Sequence, residues 1–329
     1  MIRAWRAWIA VLQRREDALP LAIFRALTGL AVLWNLLPAV LHGVVRVIWL
    51  DRDDGGYRVL RAAGSWLVQA AGDLSPGLVW GLVISTLCAG FLVMIGVGGR
   101  VAALCALQGT LAISMINTDA KGSYDALLCN SLWLLCLGDG QATLSIAAKR
   151  RHGVWIPRVD VAAWPRYLVI LQIAAVYFST GIHKVSAFWT PMGGFSALYY
   201  ILQQPTWHRF DMTWLAHVYP LTQVSTALVW IFELTWPLLG LALYLRQRPG
   251  DGRVRRLLRR FDPRTPYVIF GVSMHLMILA FMEVGPFSAI TIAYYPCLYR
   301  ADELRRGWAR LRRRLRSAGA GEALATPEA

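Results

Sequence analysis

Long apolar runs recur along almost the whole 329-residue chain, and they constrain its fold more than any other feature. A helix needs about 20 mostly apolar residues to cross the hydrocarbon layer of a membrane. Eight runs approach or reach that length, at roughly residues 20–45, 77–98, 101–117, 124–146, 162–184, 220–245, 265–283 and 286–300. Hydrophobic residues make up 57% of the chain and charged residues only 16%, which excludes an ordinary soluble domain. The sequence therefore predicts an all-α, polytopic membrane bundle of about eight transmembrane helices.

The apolar runs also divide the chain into regions. We expect a basic cytoplasmic N-terminus at 1–19, a transmembrane domain at 20–300 and a basic cytoplasmic tail at 301–329. The stretches 59–72 and 193–204 are helix-like but too short to span, so they predict short interfacial helices. The Ala- and Gly-rich end of the tail, 317–329, is expected to be disordered.

The basic residues predict the orientation in the membrane. With eight spans both termini lie on one side, and 26 of the 34 Lys and Arg residues fall on that side. Cytoplasmic loops of membrane proteins are rich in Lys and Arg, so the bias places both termini in the cytoplasm of a cell with an inner or plasma membrane. The net charge of +15 then reports orientation, and no nucleic-acid partner is expected.

The bilayer itself is the first partner that the sequence predicts, with anionic lipids at the basic loops and tail. In the tail, Leu304, Trp308, Leu311 and Leu315 recur at helical spacing among arginines. This pattern fits a helix lying on anionic lipid, and it fits a solvated flank equally well.

Several ionisable side chains lie within the apolar runs, where charge is costly and often functional. We take Arg25, Asp125, Glu233 and His275 as candidate pocket residues, together with Trp189, which follows the fifth predicted span. Arg25 lies near enough to the start of its span to reach the cytoplasmic surface, which is the structural alternative. Glu233 and His275 have another structural role open to them, as hydrogen-bonding partners between helices. The spacing of the Cys and His residues predicts no metal site.

The segment STGIHKVSAFWTPMGGFSALYY at 179–200 carries the most specific signal. An apolar helix ends there at His183 and Lys184, and Trp189 follows at interface depth. The chain has only three Lys but 31 Arg, and an Arg would serve equally well as an anchor at the membrane interface. A Lys at this position therefore suggests that its capacity to lose a proton matters. Lys184 is therefore a candidate base, with His183 beside it, or alternatively an anchor at the membrane boundary.

Five segments follow one another along the chain: FRALTGL with Arg25, NTDAKGSYDALLCNSLWLLCLGDGQATLSI, GIHKVSAFW with Gly193-Gly194, FELTWPLLG, and HLMILAFMEVGPFSAITIA. Taken in this order, they resemble the HTTM (horizontally transferred transmembrane) family. This family is related to vitamin K-dependent gamma-carboxylase and to sporulation-delaying protein B-type proteins. Together the resemblance covers about residues 18–300.

The resemblance implies a role for Lys184. The matching lysine of the carboxylase is implicated as the base that deprotonates vitamin K hydroquinone, so a quinone or another lipid-soluble cofactor is implied here. Two departures weaken the transfer of glutamyl carboxylation itself. The tail leaves no room for the long lumenal domain of the carboxylase, and Gly122 stands where the carboxylase has a functional His before its Ser-Tyr pair.

Three functions remain open at this point. The first is assistance in the maturation, modification or export of a peptide at the external membrane face, as in sporulation-delaying protein B-type relatives. The second is a gamma-carboxylase-like membrane enzyme with Lys184 as base. The third is a proton-coupled transporter that relays protons through Asp125, Glu233 and His275.

Overall fold

The chain folds into a bundle of helices with almost no sheet. A computed structural model describes residues 2–57, 65–72, 74–247, 250 and 252–323. Its α-helices are α1 (Ile2–Gln13), α2 (Leu19–Leu41), α3 (Val45–Trp49), α4 (Trp66–Ala70), α5 (Pro76–Ile95), α6 (Gly99–Ile116), α7 (Ser123–Leu137), α8 (Ile146–His152), α9 (Trp164–His183), α10 (Ala197–Gln203), α11 (Tyr219–Leu234), α12 (Trp236–Gln247), α13 (Arg253–Arg260), α14 (Arg264–Phe281), α15 (Phe287–Tyr294) and α16 (Ala301–Ala323). Short 3₁₀ helices cover Arg52–Asp54, Ala187–Trp189, Pro191–Gly193, Thr213–Val218 and Tyr295–Leu298. The strands are β1 (Arg15–Asp17) and β2 (Asp160–Ala162), which pair antiparallel.

Six of the described helical segments are long and apolar enough to cross a membrane. They are Leu19–Leu41, Pro76–Ile95, Gly99–Ile116, Trp164–His183, Thr213–Leu234 and Arg264–Phe281. The prediction of an all-α, multi-pass membrane bundle is thus confirmed, although two of the eight predicted spans are shorter than expected. The two short apolar segments are Ser123–Leu137 and Phe287–Leu298.

The fourth and eighth predicted spans are short for different reasons. Helix α7 ends at Leu137 rather than near 146, because Gly138 and Gly140 follow and Leu144 adopts a left-handed φ of 48°. Helix α15 starts after Gly285-Pro286 and is buried on most of its sides, among other helices. At 1.5 Å per residue, neither helix reaches the roughly 30 Å of a hydrocarbon core.

The sixth predicted span, 220–245, is broken near its middle. Helix α11 ends at Leu234 and α12 begins at Trp236, with Thr235 between them. Pro237 has no N–H to donate to the carbonyl of Glu233, four residues earlier, which accounts for the break. Glu233 therefore lies within one turn of an interruption in its helix.

The short helices also differ in part from their predicted bounds. Helix α10 lies inside the stretch 193–204, as predicted, and α4 lies inside 59–72, of which residues 59–64 fall outside the described residues. Helix α16 continues to Ala323, so it enters the segment that was expected to be disordered from 317. Residues 324–329 lie outside the described residues.

The small sheet fixes which helix ends lie together. Because β1 leads into α2 and β2 leads into α9, both helices start at the same end of the bundle, which we call the sheet end. Helix α16 returns to this end, where Arg305 forms an ion pair with Asp17 at 2.8 Å. Lys184 directly follows the last residue of α9, about 30 Å from Trp164 along the helix axis. It therefore lies toward the opposite end, which we call the far end.

The core forms where α2, α7, α9 and α15 meet. Phe24 and Tyr294 pack edge to face with their ring centroids 5.1 Å apart, and Ser131 donates a hydrogen bond of 2.7 Å to the Tyr294 hydroxyl. A second apolar cluster joins α2, α3, α5 and α6 toward the far end. Close packing of α2 against α5 requires Gly29, since a Cβ there would lie 2.4 Å from the backbone nitrogen of Met94.

Candidate functional site

Lys184 and Glu233 form an ion pair between α9 and α11. The Lys184 Nζ donates to Oε2 of Glu233, and the Thr180 hydroxyl, which donates to the Tyr177 carbonyl at 2.9 Å, also acts on this carboxylate. Only 17% of the Lys184 side chain and 8% of the Glu233 side chain are exposed. The Lys184 amine also lies 4.6 Å from the centre of the Trp189 ring, within cation–π range. The lysine thus has a carboxylate on one side and an aromatic face on another.

A close helix contact creates this pair. A Cβ at Gly181 would lie 3.0 Å from the Cβ of Glu233, closer than most Cβ contacts, so a larger residue would require α9 and α11 to move apart by a few tenths of an ångström. The Trp230 indole N–H donates to the Gly181 carbonyl at 3.2 Å and fixes the same contact. The close approach brings the Lys184 amine within reach of the carboxylate.

The segment 185–218 packs against the first half of α11, which lies on the far-end side of the ion pair. The Gln223 amide donates to the Gly194 carbonyl at 2.6 Å, and the Leu198 N–H donates to Thr226 Oγ1 at 3.1 Å. Its surface exposes large apolar side chains, including Val185, Phe188 and Met192. Because little of either charged side chain is exposed, the ion pair is not at a freely hydrated surface.

A chain of hydrogen-bonded rings lies one to two helical turns from the ion pair, toward the sheet end. The Tyr177 hydroxyl lies 2.7 Å from Nε2 of His275 and 2.7 Å from the Tyr295 hydroxyl. The ring of Tyr177 stacks on Trp236, with centroids 4.9 Å apart. His275 is fully buried, and its Nδ1 has no hydrogen-bonding partner among the described residues.

Helix α9 connects the two groups. Tyr177, Gly181 and Lys184 follow one another at intervals of four and three residues, so they share one face of the helix. The Phe232 ring, next to Glu233 in sequence, lies 5.0 Å from the ring of Tyr177. Glu233 and His275 therefore both lie near this face of α9, although none of the described contacts joins the two side chains directly.

His183 faces away from this site. Its ring is exposed and its Nδ1 lies 2.7 Å from the carbonyl oxygen of Ser179, in its own helix. Among its described hydrogen bonds and ion pairs, none is to Lys184 or Glu233. His183 is therefore the sequence neighbour of Lys184 at the end of α9, but its side chain is not part of the ion-pair site.

Arg25 lies at the other end of the bundle. Its buried guanidinium donates to the carbonyls of Gly140 at 3.1 Å, Met94 at 2.7 Å and Leu144 at 2.5 Å, and also to that of Val93. These carbonyls belong to the end of α5 and to the turn after α7, so the side chain pins both to α2. Arg25 therefore neither reaches the sheet-end surface nor joins Lys184 in one pocket.

Asp125 lies in the first turn of α7, at the far end. Its Oδ2 accepts a hydrogen bond of 2.8 Å from the Gly122 N–H, and its carboxylate interacts with the side chain of Asn35. It lines a cavity of about 270 Å³ between α2, α3, α6 and α7. Lys184, Glu233 and His275 are not among the described residues that line this cavity.

The structure thus separates the candidates into three places. Lys184, Trp189 and Glu233 are in contact, His275 lies behind them, and Arg25 and Asp125 each occupy a separate site. Sequence reasoning missed Thr180, Tyr177 and Gly181, although their spacing from Lys184 carried the signal. It also missed Trp230, Trp236 and Tyr295, whose positions depend on how the helices pack.

Ion pairs at the sheet end account for several of the basic residues there. Arg264 lies between Asp262 and Glu303, and it donates to the Leu298 carbonyl at 3.0 Å. Partial burial acts to raise the pKa of Asp262, but hydrogen bonds from Arg264 and Arg246 outweigh it and hold that pKa at about 2. The pKa of Glu303 is lowered as well, since its bonds to Arg264 outweigh the effect of burial.

Comparison with known families now identifies the chain's relatives. A family model described as the HTTM domain matches residues 13–249, more than two thirds of the chain. The chain belongs to the HTTM family. The resemblance inferred from the sequence is thereby confirmed, and the matched range contains Arg25, Asp125, Lys184, Trp189 and Glu233, while His275 lies beyond it. Comparison with curated proteins and with solved structures gave no match.

Proposed function

We propose that this HTTM protein is a membrane enzyme in which Lys184 takes a proton from a substrate during the maturation, modification or export of a peptide. One observation carries the proposal: the Lys184 amine is held by Glu233 under the Trp189 ring, largely shielded from water. A lysine that served only as an anchor would place its charge among hydrated headgroups. A shielded lysine with a specific carboxylate partner is a candidate group for proton transfer.

The ion pair has a way to present an uncharged amine. Passage of one proton from Lys184 Nζ to Glu233 Oε2 converts an ammonium and a carboxylate into an amine and a carboxylic acid. Low-dielectric surroundings disfavour the charged forms, so they reduce the cost of this exchange. The Lys184 lone pair then accepts the substrate's proton, and the resulting ammonium lies beside the substrate anion.

A quinone-type, lipid-soluble molecule is the cofactor class that we propose. The Trp189 ring and the exposed side chains of Val185 and Phe188 offer an apolar surface next to the amine, which suits a flat, apolar molecule. When bound, a quinol would supply an acidic hydroxyl group and two-electron redox chemistry. Lys184 would hold the proton, and Glu233 would keep the amine in place.

We further propose that the sheet end faces the cytoplasm of a cell with an inner or plasma membrane, and that the far end faces outward. The basic helices α13 and α16 and the sheet-end ion pairs support this orientation, because cytoplasmic segments are rich in Arg. Helix α16 exposes Trp308 and Leu311 among arginines, as expected for a helix lying on anionic lipid. The Lys184 chemistry then takes place toward the external face.

The test compares secreted peptides by mass spectrometry in strains that carry the wild-type gene, a deletion, Lys184→Arg or the matched control Lys121→Arg. Lys184→Arg keeps the charge but removes a group that gives up its proton readily. We expect the deletion and Lys184→Arg to change the mass or yield of the same peptide, and Lys121→Arg to behave as wild type, because Lys121 is exposed.

Two outcomes would contradict the proposal. A peptide profile unchanged by the deletion would remove the role in peptide maturation. Full function in Lys184→Arg, with the protein at its normal level in the membrane, would remove the base role and leave Lys184 as a structural cation.

A further inference from the structure

The cavity beside Asp125 is built differently from the Lys184 site. Its volume is about 270 Å³, room for a small organic molecule as well as water. One wall is apolar, with Leu36, Trp49 and Ile113 among its residues. Asn35, His42, Thr110, Ser114, Asn117 and Tyr124 are its polar residues besides Asp125.

Two buried polar groups in this cavity lack a complete set of partners. Asp125 is only 4% exposed, and no Lys, Arg or His among the described residues lies within ion-pair distance of its carboxylate. Lys121 acts on its charge from nearby but does not line the cavity. Thr110 is 2% exposed, and its hydroxyl has no hydrogen-bonding partner among the described residues.

Such groups are costly to bury and are normally satisfied by a partner. The neighbouring Asn117 does not supply this partner, because its amide already donates to the Ile48 carbonyl and its oxygen already accepts from the Asp119 N–H. The unmet need in the cavity is therefore for a hydrogen-bond donor with positive charge.

We propose that this cavity binds a small organic amine in its ammonium form, with its head at Asp125 and Thr110 and its alkyl part against the apolar wall. An ammonium donates three hydrogen bonds and offsets the buried carboxylate charge. The exposed imidazole of His42 lies at the rim of the cavity, among its lining residues. This site is separate from the Lys184 proposal, and each stands without the other.

The experiment measures binding of n-hexylammonium to the purified full-length protein in detergent, by equilibrium dialysis and by the shift of the thermal unfolding midpoint. Hexan-1-ol and hexanoate serve as ligands of equal length without the positive charge. Partition into micelles is the same for all protein variants, so the readout is the difference between variants.

Thr110→Val and Asp125→Asn test the two contacts. We expect Thr110→Val to weaken hexylammonium binding about five- to tenfold, the equivalent of one hydrogen bond, while leaving the unliganded protein at least as stable. Asp125→Asn should weaken it at least tenfold, since a charged contact is lost. Thr28→Val is the matched control: Thr28 is also buried with an unpartnered hydroxyl, but it does not line the cavity, so binding should not change.

Cavity filling gives a further test if Asp125→Asn does not fold. Ala39→Leu places a larger side chain at a buried lining position and should abolish saturable binding. Saturable binding of hexylammonium that is equal in wild type, Thr110→Val and Ala39→Leu would overturn the proposal. Equal affinity for hexan-1-ol and hexylammonium would also overturn it, as would the absence of saturable binding in the wild type, which would leave a water-filled cavity.

Discussion

The Lys184–Glu233 pair makes a quantitative prediction about stability. Removal of either charge leaves the other buried without its counter-charge, so each single substitution should destabilise the protein strongly. Methionine resembles both side chains in length and carries no charge. We therefore compare Lys184→Met, Glu233→Met and the double variant.

The magnitude follows from the burial of the pair. At an ordinary charged hydrogen-bond length of about 2.8 Å and an effective dielectric constant of about 20, two unit charges attract by roughly 6 kcal/mol. Removing one partner of a buried pair typically costs about 3–5 kcal/mol. Because 17% of the Lys184 side chain and 8% of the Glu233 side chain remain exposed, the remaining charge can rehydrate in part, and we expect about 3 kcal/mol for each single variant.

The double variant should recover much of this loss. Two apolar side chains of similar volume can replace a buried ion pair at little cost, because no charge then remains to be desolvated. The double variant should therefore be more stable than either single variant. The interaction energy from the cycle should therefore exceed the loss of one single substitution and lie between about 3 and 6 kcal/mol.

The assay is thermal unfolding in detergent, followed by intrinsic tryptophan fluorescence. A loss of 3 kcal/mol corresponds to a decrease of roughly 6–12 °C in the midpoint. Glu283→Gln is the control, because its pair with Arg209 is exposed and should contribute about 0–1 kcal/mol. Single variants within 1 kcal/mol of wild type, or a double variant whose loss equals the sum of the singles, would refute the buried pair.

Three further predictions concern other parts of the bundle. Since hydrogen bonds from Arg264 and Arg246 lower the folded-state pKa of Asp262 to about 2, these contacts together should stabilise the protein by about 2 kcal/mol above pH 4, and this stabilisation should be lost as the pH falls from 4 to 2. Acid unfolding of Asp262→Asn that is as steep as that of wild type in this range would contradict this. Arg25→Lys should cost about 2–4 kcal/mol, because an ammonium cannot bridge four carbonyls, and a midpoint equal to that of Arg100→Lys would count against it. Gly181→Ala should separate α9 from α11 and reduce both the unfolding midpoint and the Lys184-dependent peptide product, and normal values of both would show that the contact tolerates a methyl group.

The positions of the long apolar helices could be predicted from the sequence, because burial in lipid requires about 20 apolar residues whatever the neighbouring helices do. Their ends could not be placed as well. Helix α7 stops at Leu137, where glycines follow, although the apolar run continues to 146. The break at Thr235 had a local signal in Pro237, which the hydropathy of the run concealed.

The candidate site was predictable in its parts but not as a site. The sequence singled out Lys184, Trp189 and Glu233 by residue type and location, yet 49 residues separate the lysine from the carboxylate. Arg25 shows the opposite outcome, because its location in an apolar run was equally suggestive, and its hydrogen-bond partners among the described residues are all backbone carbonyls. A rare charge in a membrane helix signals a buried partner without saying which kind.

The sequence by itself determined the class of fold and the membership in the HTTM family, because hydropathy and ordered motifs are properties of the chain alone. Tertiary structure alone decided which ionisable groups meet. The glycine contact at Gly181 lets α9 approach α11, and that approach turns Lys184 from a charge at a helix end into the partner of Glu233. The same packing leaves Asp125 in a cavity of its own, since it lies on a different helix pair. Pairing of charges in a membrane depends on distances across helices, which no single segment of sequence contains.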